Sequence, residues 1–175
     1  MMRRYRVRIA VVCAVAMTAL LVWANWPGGS IAAGTLADRV VVWKSKRQLE
    51  LYANRKLVKR YAVALGRNPI GPKLQEGDNR TPEGLYAVEL HNPRSSFHKA
   101  LKVSYPSPAD SMAAAKRGVA PGGDIMIHGI RNGLGFLGRL HRLLDWTAGC
   151  IAVTNPEIEE IYCAVPDGTP IEIHP

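Results

Sequence analysis

GGDIMIHG, residues 122–129, decides how the chain folds. Ile125 and Ile127 fall on one face of a period-two segment, and Asp124, Met126 and His128 on the other. A strand with one apolar and one mixed face lies in a sheet that covers a core on one side only. A histidine closes it, and a glycine follows at once.

Further strands flank it. RVVVWKS (39–45) is rich in β-branched residues, and QLELYANRKLVKRYAVAL (48–65) alternates on both sides of a turn at Ala53-Asn54-Arg55, a β-hairpin pattern. GLYAVEL (84–90), ALKVSYP (100–106) and TPIEIHP (169–175) read as strands, with a polar connection over 91–99. GRNPIGPKLQEGDNRTPEG (66–84) is a long loop, a functional segment or a flap. SPADSMAAAKRG (107–118) is a short helix that Ser107 or Asp110 can cap. In RNGLGFLGRLHRLLDW (131–146), Phe136, Leu137, Leu140 and Leu144 fit one side of a short helix, which leaves His141 beside Arg139 and Arg142 on a solvated face. Asn155 is placed to cap a last helix, with Pro156 opening it and Ile158, Ile161, Tyr162 and Val165 along its buried side. The expected class is mainly β, a sandwich or barrel-like sheet with two or three short helices, not a doubly wound α/β domain.

The chain has 175 residues and a net charge of +9. Arg3, Arg4, Arg6 and Arg8 supply four of those charges, and the rest are scattered among acids. No basic stripe interleaves with aromatics, which argues against nucleic acid as a partner. RRYRVR (3–8) leads into residues 7–26, where Arg8 is the one charged side chain. Twenty helical residues rise about 30 Å, the thickness of a bilayer core. A membrane anchor with its N-terminus in the cytoplasm is expected, or a signal segment cut within SIAAGTLAD (30–38). Either way the remainder is exported, held at the periplasmic face of the inner membrane or secreted to the periplasm and cell wall.

DWTAGCIAVTN (145–155) places Cys150 between Gly149 and a small, apolar run. A thiolate attacks carbonyls, and a histidine near it in space can take the proton. His91 and His98 flank a polar loop and His174 adjoins the C-terminus, whereas His128 ends an apolar strand. His128 is therefore the candidate base. Gly149 allows unusual dihedrals, and backbone N–H groups near the cysteine suit an oxyanion. Other readings stay open on these residues alone: a core cysteine with an unrelated histidine, a Cys150–Cys163 disulfide in an oxidising compartment, or a metal site with one more ligand. Cys163 reads as helix packing.

The order IHGI (127–130), a spacer, then TAGC (147–150) resembles the catalytic core of the YkuD-like L,D-transpeptidases, in their YafK-type branch. GDNRTPEGLY resembles the family's Thr-Pro-x-Gly-x-Tyr strand start, and GTPIEI its closing strand. The likeness spans about residues 38–175. With the N-terminal reading this gives an expected layout of a basic n-region (1–6), an anchor or signal segment (7–26), a linker (27–37) and, from the likeness, a catalytic domain (38–175). The likeness also implies a peptidoglycan enzyme in which Cys150 attacks the third residue of a stem tetrapeptide, expels D-Ala and forms a thioester that an amine resolves. His128 activates the thiol and protonates the leaving amine. The same site serves a hydrolase of stem-peptide or lipoprotein links, and an inactive wall-binding module remains the alternative from another class. Gly149 and Gly129 are assigned to oxyanion support, and Arg131, Trp146, Thr147 and Asn155 to substrate binding. Stem peptides are the expected partner, with a wall-linked lipoprotein as the other acceptor, and the resemblance implies no metal or cofactor. Two positions depart from the pattern: Ala148 stands where the family carries a histidine, and Ala152 where it carries Arg or Asn.

Overall fold

The structure is a computed structural model that describes residues 2–175, with side chains at Arg6 and from Arg8 onward. Helix α1 spans Met2–Ala24. The strands follow as β1 (Arg39–Trp43), β2 (Gln48–Ala53), β3 (Lys56–Ala62), β4 (Gly84–Ser95) and β5 (His98–Val103). Helix α2 (Pro108–Lys116) and strand β6 (Met126–His128) come next, then a 3-10 segment over Gly135–Leu143. Strand β7 (Ile151–Ala152), helix α3 (Asn155–Ala164) and strand β8 (Pro170–His174) complete the chain.

All eight strands form one sheet in the order β3-β2-β1-β8-β4-β5-β6-β7. Of the two expected forms, sandwich or barrel-like sheet, the chain takes the second, a single sheet that curls. Its two ends meet beyond β3, where Ala64 exchanges backbone hydrogen bonds with Ala152 (Ala64 N to Ala152 O 2.9 Å, and the reverse at 2.8 Å). Thr147 N donates to Leu65 O at 3.1 Å in the same seam. This seam gives the sheet its barrel-like closure and leaves β7 no free edge.

Local chemistry explains most elements. Asn54 and Arg55 both take positive φ (52° and 64°), the two-residue turn whose twist suits a hairpin. Ser107 caps α2 and Asp110 reaches back to it, so both candidate caps act in one capping box. The cap of α3 is Thr154, boxed with Glu157, and not Asn155. Ile158 and Ile161 of α3 are fully buried beneath the sheet with Leu101, Ile127 and Ile151. Each such side chain contributes about 1.5–3 kcal/mol.

Four further expectations change. Residues 91–99 are not a polar connection: β4 runs to Ser95 and turns directly into β5. Cys163 is exposed, so it does not pack, and all three cysteines are free. The 131–146 stretch is not an amphipathic α-helix. Gly138 (φ 46°, ψ −130°) kinks it, the turns are 3-10, and the tighter repeat turns His141 inward while Phe136 and Leu144 point out.

The membrane helix expected over 7–26 is also not borne out. Among the described residues no helix is long and apolar enough to cross a membrane. Arg3, Arg4, Arg6 and Arg8 fall in the first turns of α1, and the uncharged run that follows, Ile9–Ala24, rises about 24 Å against a core of about 30 Å. The part of that expectation, and of the basic n-region, that falls on Met1 and on the side chains of 2–5 and 7 lies outside the described residues. The C-terminal end of α1 rests on the 3-10 segment, where Asn25 Nδ2 donates to Phe136 O at 2.8 Å.

Candidate active site

Strands β6 and β7 are parallel neighbours, with Ile127 opposite Ile151 and His128 opposite Ala152. Parallel strands need a long crossover, and residues 129–150 supply it. One step of the same register back from β7, Cys150 comes level with Met126. Cys150 and His128 therefore project from one face on adjacent strands, a diagonal pair within side-chain reach. They line one cleft of about 930 Å³ together with Trp146, Phe97 and Arg131.

His128 is 3 % exposed. Its Nδ1–H donates to Gly129 O at 2.6 Å, which leaves the Nε2 lone pair free. Burial lowers its pKa to about 4, with the Gly129 hydrogen bond opposing, so the ring is neutral near pH 7. Phe97 covers the ring at 4.5 Å between centroids, and Trp146 meets it edge-on at 5.7 Å. Burial pushes the half-buried Cys150 thiol up from its usual pKa, although the Met126 N–H pulls it down. The thiol donates to Asp124 O at 3.5 Å, and among the described residues it makes no hydrogen bond to His128. The site at rest is a neutral thiol and a neutral imidazole, not an ion pair.

The turn before Cys150 is built by Thr147 and Gly149. Thr147 is buried; its hydroxyl donates to Cys150 O at 2.7 Å and accepts from Gly149 N at 3.1 Å. Thr147 therefore shapes the nucleophile's turn while it lines the cleft. Gly149 sits at φ 134°, and a Cβ there would lie 2.6 Å from Arg80 O. The glycine is demanded by contact with the 66–84 loop. Its N–H is committed to Thr147, so it is not free for an oxyanion; among the described residues Cys150 N–H has no such partner.

That loop is fastened rather than a flap. Asp78 accepts from Lys73 Nζ and from the N–H groups of Leu74, Gln75 and Arg80. Burial would raise its pKa, but these donors hold it down at about 2. The buried Lys44 ties the loop to β1 through Gly71 O (2.6 Å), Thr81 O (2.9 Å) and Glu83 (2.7 Å).

The remaining candidates divide. Arg131 is exposed at the cleft and makes no ion pair among the described residues, as do Arg67 and Arg94 nearby. Asn155 does not line the cleft. Its Oδ1 accepts from Ile130 N at 2.8 Å and fixes the loop after His128. Gly129 gives its N–H to Phe97 O and Lys99 O and sets the His128 tautomer with its carbonyl. Among the described residues no group of three His, Cys, Asp or Glu side chains is placed to hold a metal. Sequence reasoning passed over Phe97, hidden in the 91–99 connection, and Asp145, whose Oδ1 accepts from Leu65 N at 2.9 Å to anchor the seam. It also placed His141 in solvent, whereas that ring is 7 % exposed behind Trp146.

The YkuD family, described as the L,D-transpeptidase catalytic domain, matches residues 37–173. The chain belongs to this family. It is 28 % identical over 130 residues to YafK of Escherichia coli (strain K12), covering 70 % of this chain and 45 % of that one. It thus spans about half the length of the curated relatives it matches. Among solved structures it resembles the helical cell shape determining protein Pgp2 from Campylobacter jejuni (TM-score 0.59, 23 % identity, 90 % of this chain and 54 % of that one). It also resembles Bdellovibrio bacteriovorus Bd1075 (TM-score 0.55, 24 %, 83 % and 50 %) and an L,D-transpeptidase from Mycobacterium smegmatis (TM-score 0.52, 15 %, 79 % and 59 %). These structures share the YkuD fold with it.

Proposed function

We propose that this YkuD domain is a cysteine acyltransferase acting on peptidoglycan stem peptides outside the cytoplasm. The observation that carries the reading is the placement of Cys150 and His128 on one face of adjacent strands, in one cleft, with the histidine's tautomer set by Gly129 O. Cys150 Sγ attacks the carbonyl of the third stem residue while its proton passes to His128 Nε2. A neutral pair suits this, because the proton moves as the bond forms and no thiolate need be stored beforehand. The thiol first leaves Asp124 O, a rotation about one side-chain bond. Cys150 N–H donates to the developing oxyanion. The tetrahedral species collapses to a thioester, and Nε2–H protonates the departing D-Ala amine. An amine from a second stem then attacks the thioester, returning the proton by the same path.

Arg131, with Arg67 and Arg94, gives the cleft a positive rim that suits the free carboxylates of a stem peptide. Trp146 forms the wall beside the reacting carbonyl.

The test is incubation of the full chain with disaccharide-tetrapeptide, followed by mass spectrometry of the products, beside Cys150→Ala. Release of D-Ala with a cross-linked dimer, in the parent only, is the expected result. Tripeptide without dimer would replace the amine acceptor by water and make the protein a hydrolase. Intact tetrapeptide and intact lipoprotein-linked stems would overturn the enzyme reading in favour of a wall-binding module.

A further inference from the structure

His141 is buried at 7 % exposure on the 3-10 segment, and the proposed chemistry does not use it. Its Nδ1 accepts a hydrogen bond from Trp146 Nε1–H at 3.3 Å. An indole nitrogen only donates, so Nδ1 carries the lone pair and the ring proton sits on Nε2. That Nε2 is buried with no partner among the described residues, and so is Nε of the adjacent Arg142. Burying an unpartnered donor is unfavourable, and an apolar side chain of similar size would fill the same space without that cost. What the imidazole adds over an apolar ring is its single acceptor, and that acceptor is spent on Trp146.

Trp146 is where the consequence lies. Its indole meets His128 edge-on at 5.7 Å and lies 5.9 Å from Phe97, which covers His128 at 4.5 Å. His141 stands at 6.2 Å from the same indole, nearly perpendicular at 80°. The indole is thus fixed at its polar end and pressed against His128 along its edge. It follows directly on Asp145, which anchors the seam, and precedes the Thr147 turn that sets Cys150.

We infer that His141 is a positioning residue of the site: its Nδ1 holds the Trp146 indole as a fixed wall against His128, and so keeps the base and the nucleophile's turn in register. The kinetic part of this inference rests on the proposed Cys150–His128 chemistry; the structural part does not.

The test uses the full chain labelled with 15N, with the Trp146 indole signal assigned through Trp146→Phe. His141→Phe keeps a ring but removes the acceptor. His141→Asn keeps an acceptor, Oδ1, close to where Nδ1 stands. Solvent exchange of the Trp146 indole N–H should rise about tenfold or more in His141→Phe and stay within about threefold of the parent in His141→Asn. With stem tetrapeptide, His141→Phe should lower kcat about tenfold with KM nearly unchanged, and His141→Asn should restore most of the rate. If His141→Phe does not fold, Trp146→Phe removes the donor instead and should show the same fall in kcat. Unchanged indole exchange in His141→Phe, equal losses in the Phe and Asn variants, or an unaffected kcat in Trp146→Phe would each overturn the inference. A parent that releases no D-Ala would refute the acyl-transfer reading, while the indole exchange would still judge His141.

Discussion

Two loops flank the nucleophile, both rich in glycine, and they are built in opposite ways. The 66–84 loop is closed by polar knots: one carboxylate, Asp78, collects four donors, and one buried ammonium, Lys44, collects two carbonyls and a carboxylate. Its carbonyls at Asn79 and Arg80 lie where a side chain on Gly66 or Gly149 would have to be. The 129–146 crossover instead turns Leu134, Phe136, Leu143 and Leu144 outward and leaves His141 Nε2 without a partner among the described residues. The first loop is a fixed floor that decides where Cys150 stands. The second is a wall whose apolar lip faces whatever enters the cleft.

The largest expected effect separates chemistry from both loops. Cys150→Ala should lower turnover of stem peptide by about a thousandfold or more while leaving the melting temperature nearly unchanged, because the thiol holds up neither loop. Gly149→Ala attacks the floor itself. The new Cβ would meet Arg80 O at 2.6 Å in a backbone region that side chains rarely adopt, so a loss of about 3 kcal/mol in denaturant unfolding is expected, together with most of the activity.

Asp78→Asn unties the knot without changing size. About 2 kcal/mol should be lost at neutral pH. The carboxylate's folded-state pKa of about 2 lies below its ordinary 3.8, so its stabilisation is full above about pH 3.8 and disappears as the pH falls through 2. The parent should lose that increment over this window in acid titration, and Asp78→Asn should not.

The two buried histidines of the cleft, His128 on β6 and His141 in the wall, act at milder pH. His128 and His141 fold with pKa values of about 4 and about 3, against 6.5 when unfolded. The unfolded chain therefore binds protons that the native chain refuses between pH 6.5 and 4. Stability should be level above pH 6.5 and fall as the pH drops through that range. Urea midpoints measured from pH 7.5 to 4 check this, and His141→Asn should flatten part of the slope. The smallest effect is expected at the lip. Leu144→Ser should change stability by no more than about 0.5 kcal/mol, since the side chain is 76 % exposed, and should act on KM if at all.

The difference between the two loops also marks what the sequence could disclose. Period-two strands such as 122–129, the Asn54-Arg55 turn and the Ser107–Asp110 box are local signals, and local sterics and hydrogen bonds decide them. His128 and Cys150 stood out as candidates because an apolar strand ends on the one and glycine precedes the other, but the residues alone left other readings open and the resemblance to a known family joined the two. The wall was not legible. A 3.6-residue repeat assigned His141 to solvent, but the backbone turns at three residues per turn and breaks at Gly138. The structural roles of Thr147 and Asn155 were not legible either, because they depend on partners far away or on a turn that only the folded chain forms. Phe97 was lost when β4 and β5 were cut short by polar residues that the sheet carries at its surface.

The most direct test is the intact mass of the protein during turnover of stem tetrapeptide, rapidly quenched in acid. An acyl adduct on Cys150, formed as D-Ala is released, absent in Cys150→Ala and accumulating much more slowly in His128→Ala, is the expected result. Tetrapeptide processed by Cys150→Ala at the parent's rate would contradict a cysteine nucleophile outright.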